Sequence, residues 1–260
     1  MKCPNCQSTR IRKHGFYRDK QRYQCKDCAR QFVEQHRPNL HQQNSTGVEE
    51  RIDRYICSIS TPASDLLLSL QQETANYPLS QMQPTMAQAE FIALSLRSSG
   101  ASRVLELGIF SSYTTLSIAQ ALPSDGVVIA SGVAGKHLEV ARDYWQRCGV
   151  AANIDFQIGS GVELLDRLLT SDLAAFDAIV ISGLKHQYPL YYQRAIDLLR
   201  PGGLLFATDI LWQGRVLSPD TYNDDFTQGI DRFNRELAAD ARVRVSVLPI
   251  GDGLSIALKL

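Results

Sequence analysis

Short apolar runs and longer amphipathic segments alternate regularly from residue 100 to the end of the chain. Apolar runs rich in β-branched residues predict buried strands, whereas apolar residues spaced three or four apart predict helices. The predicted strands are 103–107, 127–131, 154–158, 178–182 and 204–208, and the predicted helices are 114–121, 136–148, 161–169, 189–199 and 224–239. This alternation predicts an α/β fold with a doubly wound parallel sheet.

The same pattern predicts how the sheet ends. Residues 243–249 and 254–258 flank the turn Gly251-Asp252-Gly253, which predicts a C-terminal antiparallel hairpin. We expect this pair to run against the five parallel strands. The run Pro201-Gly202-Gly203 predicts a turn before the fifth strand. Helical periodicity also covers residues 48–57, 65–76 and 86–98, ahead of the sheet.

Charge divides the chain into two parts. Ten cations and three carboxylates within residues 1–37 give a net charge of +7, so the remainder carries −7 although the whole chain is neutral. Residues 35–47 are polar and nearly free of apolar anchors, as is typical of a linker. We therefore predict a small module at 1–34, a linker at 35–47 and a domain at 48–260. The opposite charges of the module and the domain indicate that the two bind different partners.

Apolar runs long enough to cross a membrane are not found in the sequence, and neither is a cationic leader. We therefore expect a cytoplasmic protein with no membrane partner.

Four cysteines form two Cys-x-x-Cys pairs, Cys3 with Cys6 and Cys25 with Cys28, separated by 18 residues. At this spacing two tight turns present four thiolates to one zinc ion. A disulfide framework is typical of exported chains, and a redox motif uses a single pair beside a βαβ unit. The sequence therefore predicts a structural zinc site, and a segment this short needs the metal to fold.

The N-terminal segment resembles the zinc ribbon at the head of insertion-sequence transposases, with short strands expected at 10–12 and 21–24. The matching runs are Cys3-Pro4-Asn5-Cys6, Lys13-His14-Gly15, the run 20–28 and Arg30-Gln31-Phe32-Val33. The resemblance implies a nucleic-acid partner, and interleaved cations and aromatic residues suit phosphate contacts and base stacking. The alternative is a basic, solvated face. No transposase catalytic region follows, so transposition is not expected.

The first predicted strand of the domain ends in Glu106-Leu107-Gly108, at the ligand-binding edge of such a sheet. A dinucleotide fingerprint needs three glycines, and this stretch has only Gly108, which argues against NAD or FAD. An acidic residue, a spacer and a glycine resemble motif I of S-adenosylmethionine (SAM) methyltransferases. There the carboxylate faces the cationic methionine end of the cofactor. The alternative is an ordinary strand-to-helix corner with a strand-end charge.

The domain as a whole resembles the cation-dependent O-methyltransferases that include the caffeoyl-CoA and catechol enzymes. The matching runs are Met82-Gln83, 104–108 with Phe110 and Tyr113, 141–145, Tyr188-Pro189 with Tyr191-Tyr192, 199–203, 211–216 and 248–254. The resemblance implies a Rossmann-like sheet and SAM-dependent methyl transfer to a small-molecule hydroxyl. It implies that the cofactor residues are Glu106, Gly108, Ser112, Tyr113, Gly132 and Ser160.

Two of these positions depart from the family pattern. In the family an acid at the end of the second strand holds the cofactor ribose hydroxyls, and Gly132 stands at that position. We therefore expect weakened SAM binding. Ser112 stands where the family has glycine, so the serine is either tolerated or it restricts the backbone and crowds the cofactor.

The family's magnesium site uses an Asp after the fourth strand and an Asp-Asn pair after the fifth. Here Ser182 and Thr208-Asp209 stand at these positions, so one carboxylate remains, displaced by one residue. Lys185 corresponds to the family lysine that acts near the acceptor hydroxyl as a base or electrostatic aid. The catalytic candidates are therefore Lys185 and Asp209, although Asp209 can equally be a lone metal ligand or a helix cap.

Two functions follow from this sequence. The first is a SAM-dependent O-methyltransferase that works without magnesium, with proximity supplying most of the acceleration. The second is a degenerate binding module of the same fold, tethered to nucleic acid by the ribbon. The first is preferred because the whole architecture matches. The acceptor, the partner of the ribbon and the oligomeric state, including a homodimer, stay open.

Overall fold

The computed structural model describes residues 8–17, 20–29, 31–33, 55–56, 58–77, 80, 83–171, 175–222 and 224–260. The chain divides into two compact units, residues 1–50 and 51–260. The predicted linker, most of the predicted helix 48–57 and Met82 lie outside the described residues. The domain boundaries inferred from the sequence therefore stay a prediction.

The described part of the first unit is a three-stranded antiparallel sheet in the order β1-β2-β3. Its strands are longer than the sequence indicated: β1 (Ile11–Tyr17), β2 (Lys20–Cys25) and β3 (Gln31–Val33). The register between β1 and β2 shifts between Lys13 and Phe16.

The second unit is a mixed sheet flanked by helices. Its strands are β4 (Arg103–Ile109), β5 (Val127–Gly132), β6 (Ile154–Ile158), β7 (Phe176–Ile181), β8 (Leu199–Thr208), β9 (Val243–Leu248) and β10 (Leu254–Lys259). Its helices are α1 (Asp65–Thr74), α2 (Met86–Ser99), α3 (Tyr113–Ala121), α4 (Lys136–Arg147), α5 (Gly161–Leu169), α6 (Tyr188–Leu198), α7 (Pro219–Tyr222) and α8 (Asp225–Ala239). Short 3₁₀ turns cover Ala151–Asn153, Lys185–Gln187 and Trp212–Leu217.

The strand order is β6-β5-β4-β7-β8-β10-β9, and β4 to β8 are parallel. This order confirms the doubly wound sheet and the C-terminal hairpin. The expectation that the hairpin strands both run against the sheet was wrong. Only β10 is reversed, because it inserts between β8 and β9 and is antiparallel to each.

The predicted turn at residues 201–203 is instead an interruption within β8. Phe176 of β7 pairs with Leu199, and the next pair, Ala178 with Leu204, skips four residues of β8. Gly202 adopts φ +73° in this bulge, a left-handed angle that glycine tolerates.

Helix boundaries follow capping residues. Thr85 and Gln88 form a capping box at the start of α2, which ends at Gly100 in the left-handed conformation. Asp224 was predicted as the first residue of α8, but it is the N-cap, and its carboxylate accepts from the backbone N–H of Phe226 and Thr227.

The core lies on both faces of the sheet, with α1 to α4 on one face and α5, α6 and α8 on the other. The central strand β4 is buried on both faces. From β4 the chain winds outward through β5 and β6, and it then returns to add β7 on the other side. The carboxyl ends of β4 and β7 flank the point of reversal, where α/β sheets bind ligands. No described helix is long and apolar enough to cross a lipid bilayer.

Candidate active site

The predicted cofactor residues converge at one edge of the sheet. Ile109 at the end of β4 lies opposite Gly132 at the end of β5. The backbone N–H of Ser182, just after β7, donates to the carbonyl of Leu107 at 2.8 Å. Gly159, just after β6, donates to the carbonyl of Gly132 at 3.0 Å. The carboxyl ends of four parallel strands therefore lie side by side, as the sequence predicted.

Glu106 is the buried charge of this edge. It lies in β4, is 2% exposed, and its Oε2 has no hydrogen-bond partner in the described part of the chain. Burial raises the pKa of its carboxyl group to about 7. A cationic ligand beside this carboxylate would stabilise its ionised form, so the site fits the positive end of a bound molecule.

Four buried hydroxyl groups surround the same strand ends. None has a partner within normal hydrogen-bond geometry among the residues that the structure describes, whereas buried polar atoms are normally paired; the Thr115 hydroxyl nevertheless lies close enough to Glu106 to oppose part of the rise in its pKa. They lie after β4, in the first turn of α3, near the end of β5 and after β7: Ser111, Thr115, Ser131 and Ser182. Unpaired donors and acceptors concentrated at a strand edge are typical of a site for a polar ligand.

Gly108 is required by the crossing of two backbones. It has φ +87°, and a Cβ at this position would lie 1.9 Å from Cα of Gly183 and 2.3 Å from its nitrogen. The sequence suggested that this glycine admits a cofactor. The structure adds that it also admits the loop after β7, which brings residues 182–185 close to β4.

Ser112 and Tyr113 begin α3. Ser112 is the N-cap with φ +63°, an angle that suits the glycine expected there, and its Oγ accepts from Nε1 of Trp145 at 2.9 Å. Ser112 therefore adopts the left-handed angle that glycine favours, and Trp145 of α4 holds its side chain. Tyr113 is buried, which raises the pKa of its hydroxyl to about 12.

The predicted ribose position is crowded by neighbouring groups. A Cβ on Gly132 would lie 3.0 Å from the carbonyl oxygen of Ile109 and 3.1 Å from Cζ of Phe156. The ring of Phe156 lies 5.9 Å from that of Trp145. Ser160, the N-cap of α5, is exposed and makes no side-chain capping bond. Gly132 therefore has no side chain that could hold a ribose, and little space for one.

Lys185 lies within a buried hydrogen-bond network. Its Nζ donates to Oη of Tyr188 at 2.6 Å, to Oδ2 of Asp209 at 3.1 Å and to the carbonyl of Thr208 at 3.2 Å. Burial alone would lower the pKa of Lys185, but the electrostatic effects of Tyr188 and Asp209 outweigh it, so the pKa is raised. The two catalytic candidates therefore form a buried ion pair. Tyr188 was not predicted as a site residue, although its three-residue spacing from Lys185 in a helical turn could have indicated it.

Asp209 begins a tightly held loop after β8. It has φ +53°, uncommon for a residue other than glycine. The backbone N–H of Gln213 donates to both carboxylate oxygens of Asp252, at 2.8 and 2.9 Å. Nδ2 of Asn234 donates to the carbonyl of Ile210 at 2.8 Å. The β9–β10 turn and α8 thus fix the backbone that carries Asp209.

Comparison with known proteins identifies the family. The family described as O-methyltransferase matches residues 57–260. The chain belongs to this O-methyltransferase family.

Individual relatives agree. The catechol O-methyltransferase domain-containing protein 1 of Mus musculus is 34% identical over 208 residues, which cover 80% of this chain and 79% of that protein. The caffeoyl-CoA O-methyltransferase 1 of Eucalyptus globulus is 32% identical over 200 residues, covering 74% and 80%. The crystal structure of an O-methyltransferase from Bacillus cereus, in complex with SAH, superposes with TM-score 0.73 and 28% identity. It covers 81% of this chain and 97% of that one.

Magnesium fits poorly among the described residues at this strand edge. No three His, Cys, Asp or Glu side chains gather into a metal-binding group within the described ranges. Ser182 and Thr208 offer only neutral hydroxyl groups, and Oδ2 of Asp209 is paired with the ammonium of Lys185, whose positive charge opposes a second cation beside it. Magnesium prefers unpaired carboxylates and water.

The predicted zinc site is only partly described. Cys3 and Cys6 lie outside the described residues. Cys25 is buried at the end of β2, and Cys28 is half-buried in the following turn. The backbone N–H of Asp27 donates to Sγ of Cys25 at 3.4 Å. The four-cysteine site therefore stays a prediction.

Proposed function

We propose that residues 57–260 form a SAM-dependent O-methyltransferase that methylates a small-molecule hydroxyl without a divalent metal. The observation that carries this proposal is the buried carboxyl group of Glu106 in β4, whose Oε2 has no hydrogen-bond partner among the described residues. In a member of this family such a group suits the cationic methionine end of SAM. The SAH complex of the Bacillus cereus relative supports the same ligand class.

Three parts of the strand edge would hold the cofactor. Glu106 and Gly108 would face the methionine end, together with the first turn of α3. Val133 after β5 and Ile158 at the end of β6 are exposed and offer an apolar surface to an adenine ring. Gly132 offers no acceptor to the ribose, which removes an anchor worth ~1.5–3 kcal/mol. SAM binding should therefore be weaker than in an intact relative by roughly one to two powers of ten.

The methyl acceptor would lie beyond β7 and β8, beside Lys185 and Asp209. Bound SAM supplies an activated methyl group on a positively charged sulfur. The chain's own contribution is to align the acceptor hydroxyl and to take its proton. Because Asp209 is paired with Lys185, we propose that this ion pair acts without magnesium.

Methyl transfer from isotope-labelled SAM to a panel of small phenols tests the proposal. Activity should be equal in EDTA and in magnesium, and it should fall on Lys185→Ala. The partly exposed ion pair of Arg194 and Asp166 provides a matched control, because Arg194→Ala should leave activity unchanged. Activity that is lost in EDTA and restored by magnesium would contradict the metal-free assignment.

The alternative is a binding module of the same fold that no longer transfers methyl groups. The lost acid at Gly132 and the adjacent Phe156 favour it. This alternative predicts no labelled product from any phenol in the panel, whether or not SAM binds.

We also propose that residues 1–34 are a zinc ribbon that holds one zinc through Cys3, Cys6, Cys25 and Cys28. An N–H group donating to Cys25 Sγ, as from Asp27, supports a thiolate at that position. Elemental analysis should find one zinc per chain, and Cys25→Ser should lower it. Zinc content that is substoichiometric and unchanged by this substitution would contradict the proposed zinc ribbon.

The excess of cations within residues 1–37 supports nucleic acid as the partner of this ribbon. Binding should be steep in salt and weak in sequence preference, because charge rather than a readout helix provides it. A titration of single-stranded and duplex DNA and RNA at several salt concentrations measures both properties. Equal affinity with and without residues 1–37 would contradict the proposal.

A further inference from the structure

We infer that Asp209 is the residue that meets the acceptor hydroxyl, that Lys185 is a positioning residue which holds Asp209, and that the acceptor is an aromatic compound with one neutral hydroxyl. This inference rests on the proposed function and deepens it. It assigns different roles to the two catalytic candidates, and it names the acceptor class from the chemistry of the site.

Lys185 has no free donor for a substrate. An ammonium group has three N–H donors and no acceptor, and all three N–H groups are engaged by Tyr188, Thr208 and Asp209. The hydroxyl of Tyr188 is itself within donating distance of the carbonyl oxygens of Ile181 and Thr208, at 3.2 and 3.1 Å. A substrate hydroxyl could reach Lys185 only by breaking a buried hydrogen bond. As an ammonium group with three donors, Lys185 also has no lone pair that could accept a proton.

Asp209 is the part of this network that opens outward. Its side chain is 21% exposed, whereas that of Lys185 is 4% exposed. The hydrogen bonds from Lys185 and from Thr208 Oγ1 both reach Oδ2, at 3.1 and 3.5 Å. No hydrogen bond reaches Oδ1 from any described residue. A carboxylate can accept several hydrogen bonds, so Oδ1 can accept from a bound hydroxyl.

The backbone at Asp209 points to the same role. Its positive φ is held in place by the loop contacts that Asp252 and Asn234 make with the next residues. Sparsely populated backbone conformations that the surroundings enforce are concentrated at functional sites. Lys185 fixes the side chain of Asp209, and the loop fixes its backbone.

Aromatic rings line the turn after Lys185 and the loop after Asp209. The ring of Phe226 lies 5.2 Å from that of His186 in an edge-to-face contact, and 6.0 Å from that of Trp212 in a stacked contact. Phe226 remains 38% exposed, and Leu184, two residues before His186, is also exposed. This surface favours a planar aromatic acceptor. A chelated metal would select two adjacent oxygens, whereas a single carboxylate oxygen accepts from one hydroxyl and repels an anion.

The proton and the electrons balance in this assignment. The acceptor O–H bond breaks, and its proton moves to Oδ1 of Asp209. The acceptor oxygen forms a bond to the methyl carbon with an electron pair of its own. The carbon–sulfur bond breaks with its electron pair going to sulfur, which becomes neutral.

Binding of 4-nitrophenol to the full chain tests this inference without turnover, because its phenolate absorbs visible light. A phenol whose hydroxyl meets the Asp209 carboxylate should ionise at a higher pH than free 4-nitrophenol. Asp209→Asn should abolish this rise and weaken binding about tenfold, whereas the matched surface control Asp166→Asn should change neither. Ionisation at a lower pH than that of the free phenol would mean that an ammonium or a metal meets the hydroxyl. Absence of binding at millimolar 4-nitrophenol would refute the acceptor class.

Turnover separates the two roles. Asp209→Ala should lower kcat by about a hundredfold or more and raise KM about tenfold, and added formate should restore part of the rate. Lys185→Met should raise KM and lower kcat less, without rescue by formate, and Lys185→Arg should recover part of both. Retained activity in Asp209→Ala would overturn the assignment.

Folding and cofactor binding are checked separately. If Lys185→Met fails to fold, the double variant Lys185→Met/Asp209→Asn replaces it, because removing both charges leaves no unpaired charge in the network. This double variant should show neither the shift in 4-nitrophenol ionisation nor the rescue by formate. The 4-nitrophenol titration is run without cofactor. Failure of SAH to bind would therefore refute the proposed function while the titration still reports on Asp209.

Discussion

Glu106→Gln should make the protein more stable at neutral pH and remove a pH dependence from the free energy of unfolding. The pKa of Glu106 is raised from 4.5 to about 7 by burial in the folded state. This difference corresponds to roughly 3 kcal/mol at 1.36 kcal/mol per pH unit. The folded state binds the proton of Glu106 more tightly than the unfolded state does. The contribution of protonated Glu106 to the free energy of unfolding is therefore fully present below pH 4.5. It falls as the pH rises and is lost once the pH passes about 7.

Urea unfolding of wild type and Glu106→Gln between pH 4 and pH 8 measures this effect. The glutamine keeps the shape but cannot ionise, so the difference between the two curves isolates residue 106. That difference should shift by roughly 3 kcal/mol in favour of the variant from pH 4 to pH 8. A difference that does not change with pH would show that Glu106 is not held in an unpaired, buried state, and the site would lose its main feature.

Three further substitutions test the strand edge. Gly108→Ala should lower the free energy of unfolding by ~4 kcal/mol or more in urea melts, because its Cβ would overlap Gly183; a mild loss would contradict the backbone crossing. Ser112→Gly should lower the free energy of unfolding by ~1 kcal/mol, because it leaves Nε1 of Trp145 unpaired, whereas Ser112→Gly/Trp145→Phe should change it little. Equal losses of stability in the two variants would mean that the two residues are not coupled. Gly132→Asp alone should improve SAM affinity little, because its Cβ would lie 3.1 Å from Phe156. The double variant Gly132→Asp/Phe156→Leu should improve the affinity measured by calorimetry about tenfold. No gain in the double variant would mean that the acid cannot reach the ribose.

The sequence predicted the sheet well because its strands carry strong, uninterrupted apolar runs. Ile154–Ile158 and Gly161–Leu169 were predicted with the observed boundaries, and other elements differed by a few residues at their ends. The bulge in β8 was mistaken for a turn because Pro201-Gly202-Gly203 is a local turn signal, whereas pairing with β7 carries the strand across it. The direction of the hairpin strands depended on which one joins β8, and local pattern does not encode that choice.

The sequence indicated which residues lie at the carboxyl ends of the strands, but it did not indicate the contacts between them. Motif positions identified Glu106, Lys185 and Asp209, since each follows or ends a predicted strand. The ion pair between Lys185 and Asp209 joins residues 24 positions apart, and it exists because β7 and β8 are adjacent. Likewise, Trp145 holds Ser112 through a hydrogen bond between α4 and α3. Such contacts depend on packing between elements, which a single sequence does not show.

Calorimetric titration of SAM into the full chain tests the central claim most directly. At pH 8, where Glu106 is ionised, SAM should bind with one site per chain, and Glu106→Gln should weaken it about tenfold. Wild-type affinity should fall between pH 8 and pH 6, because the proton then competes with the cationic ligand, whereas the glutamine variant should not respond. If millimolar SAM binds neither wild type nor Gly132→Asp/Phe156→Leu, the chain is not a SAM-dependent methyltransferase.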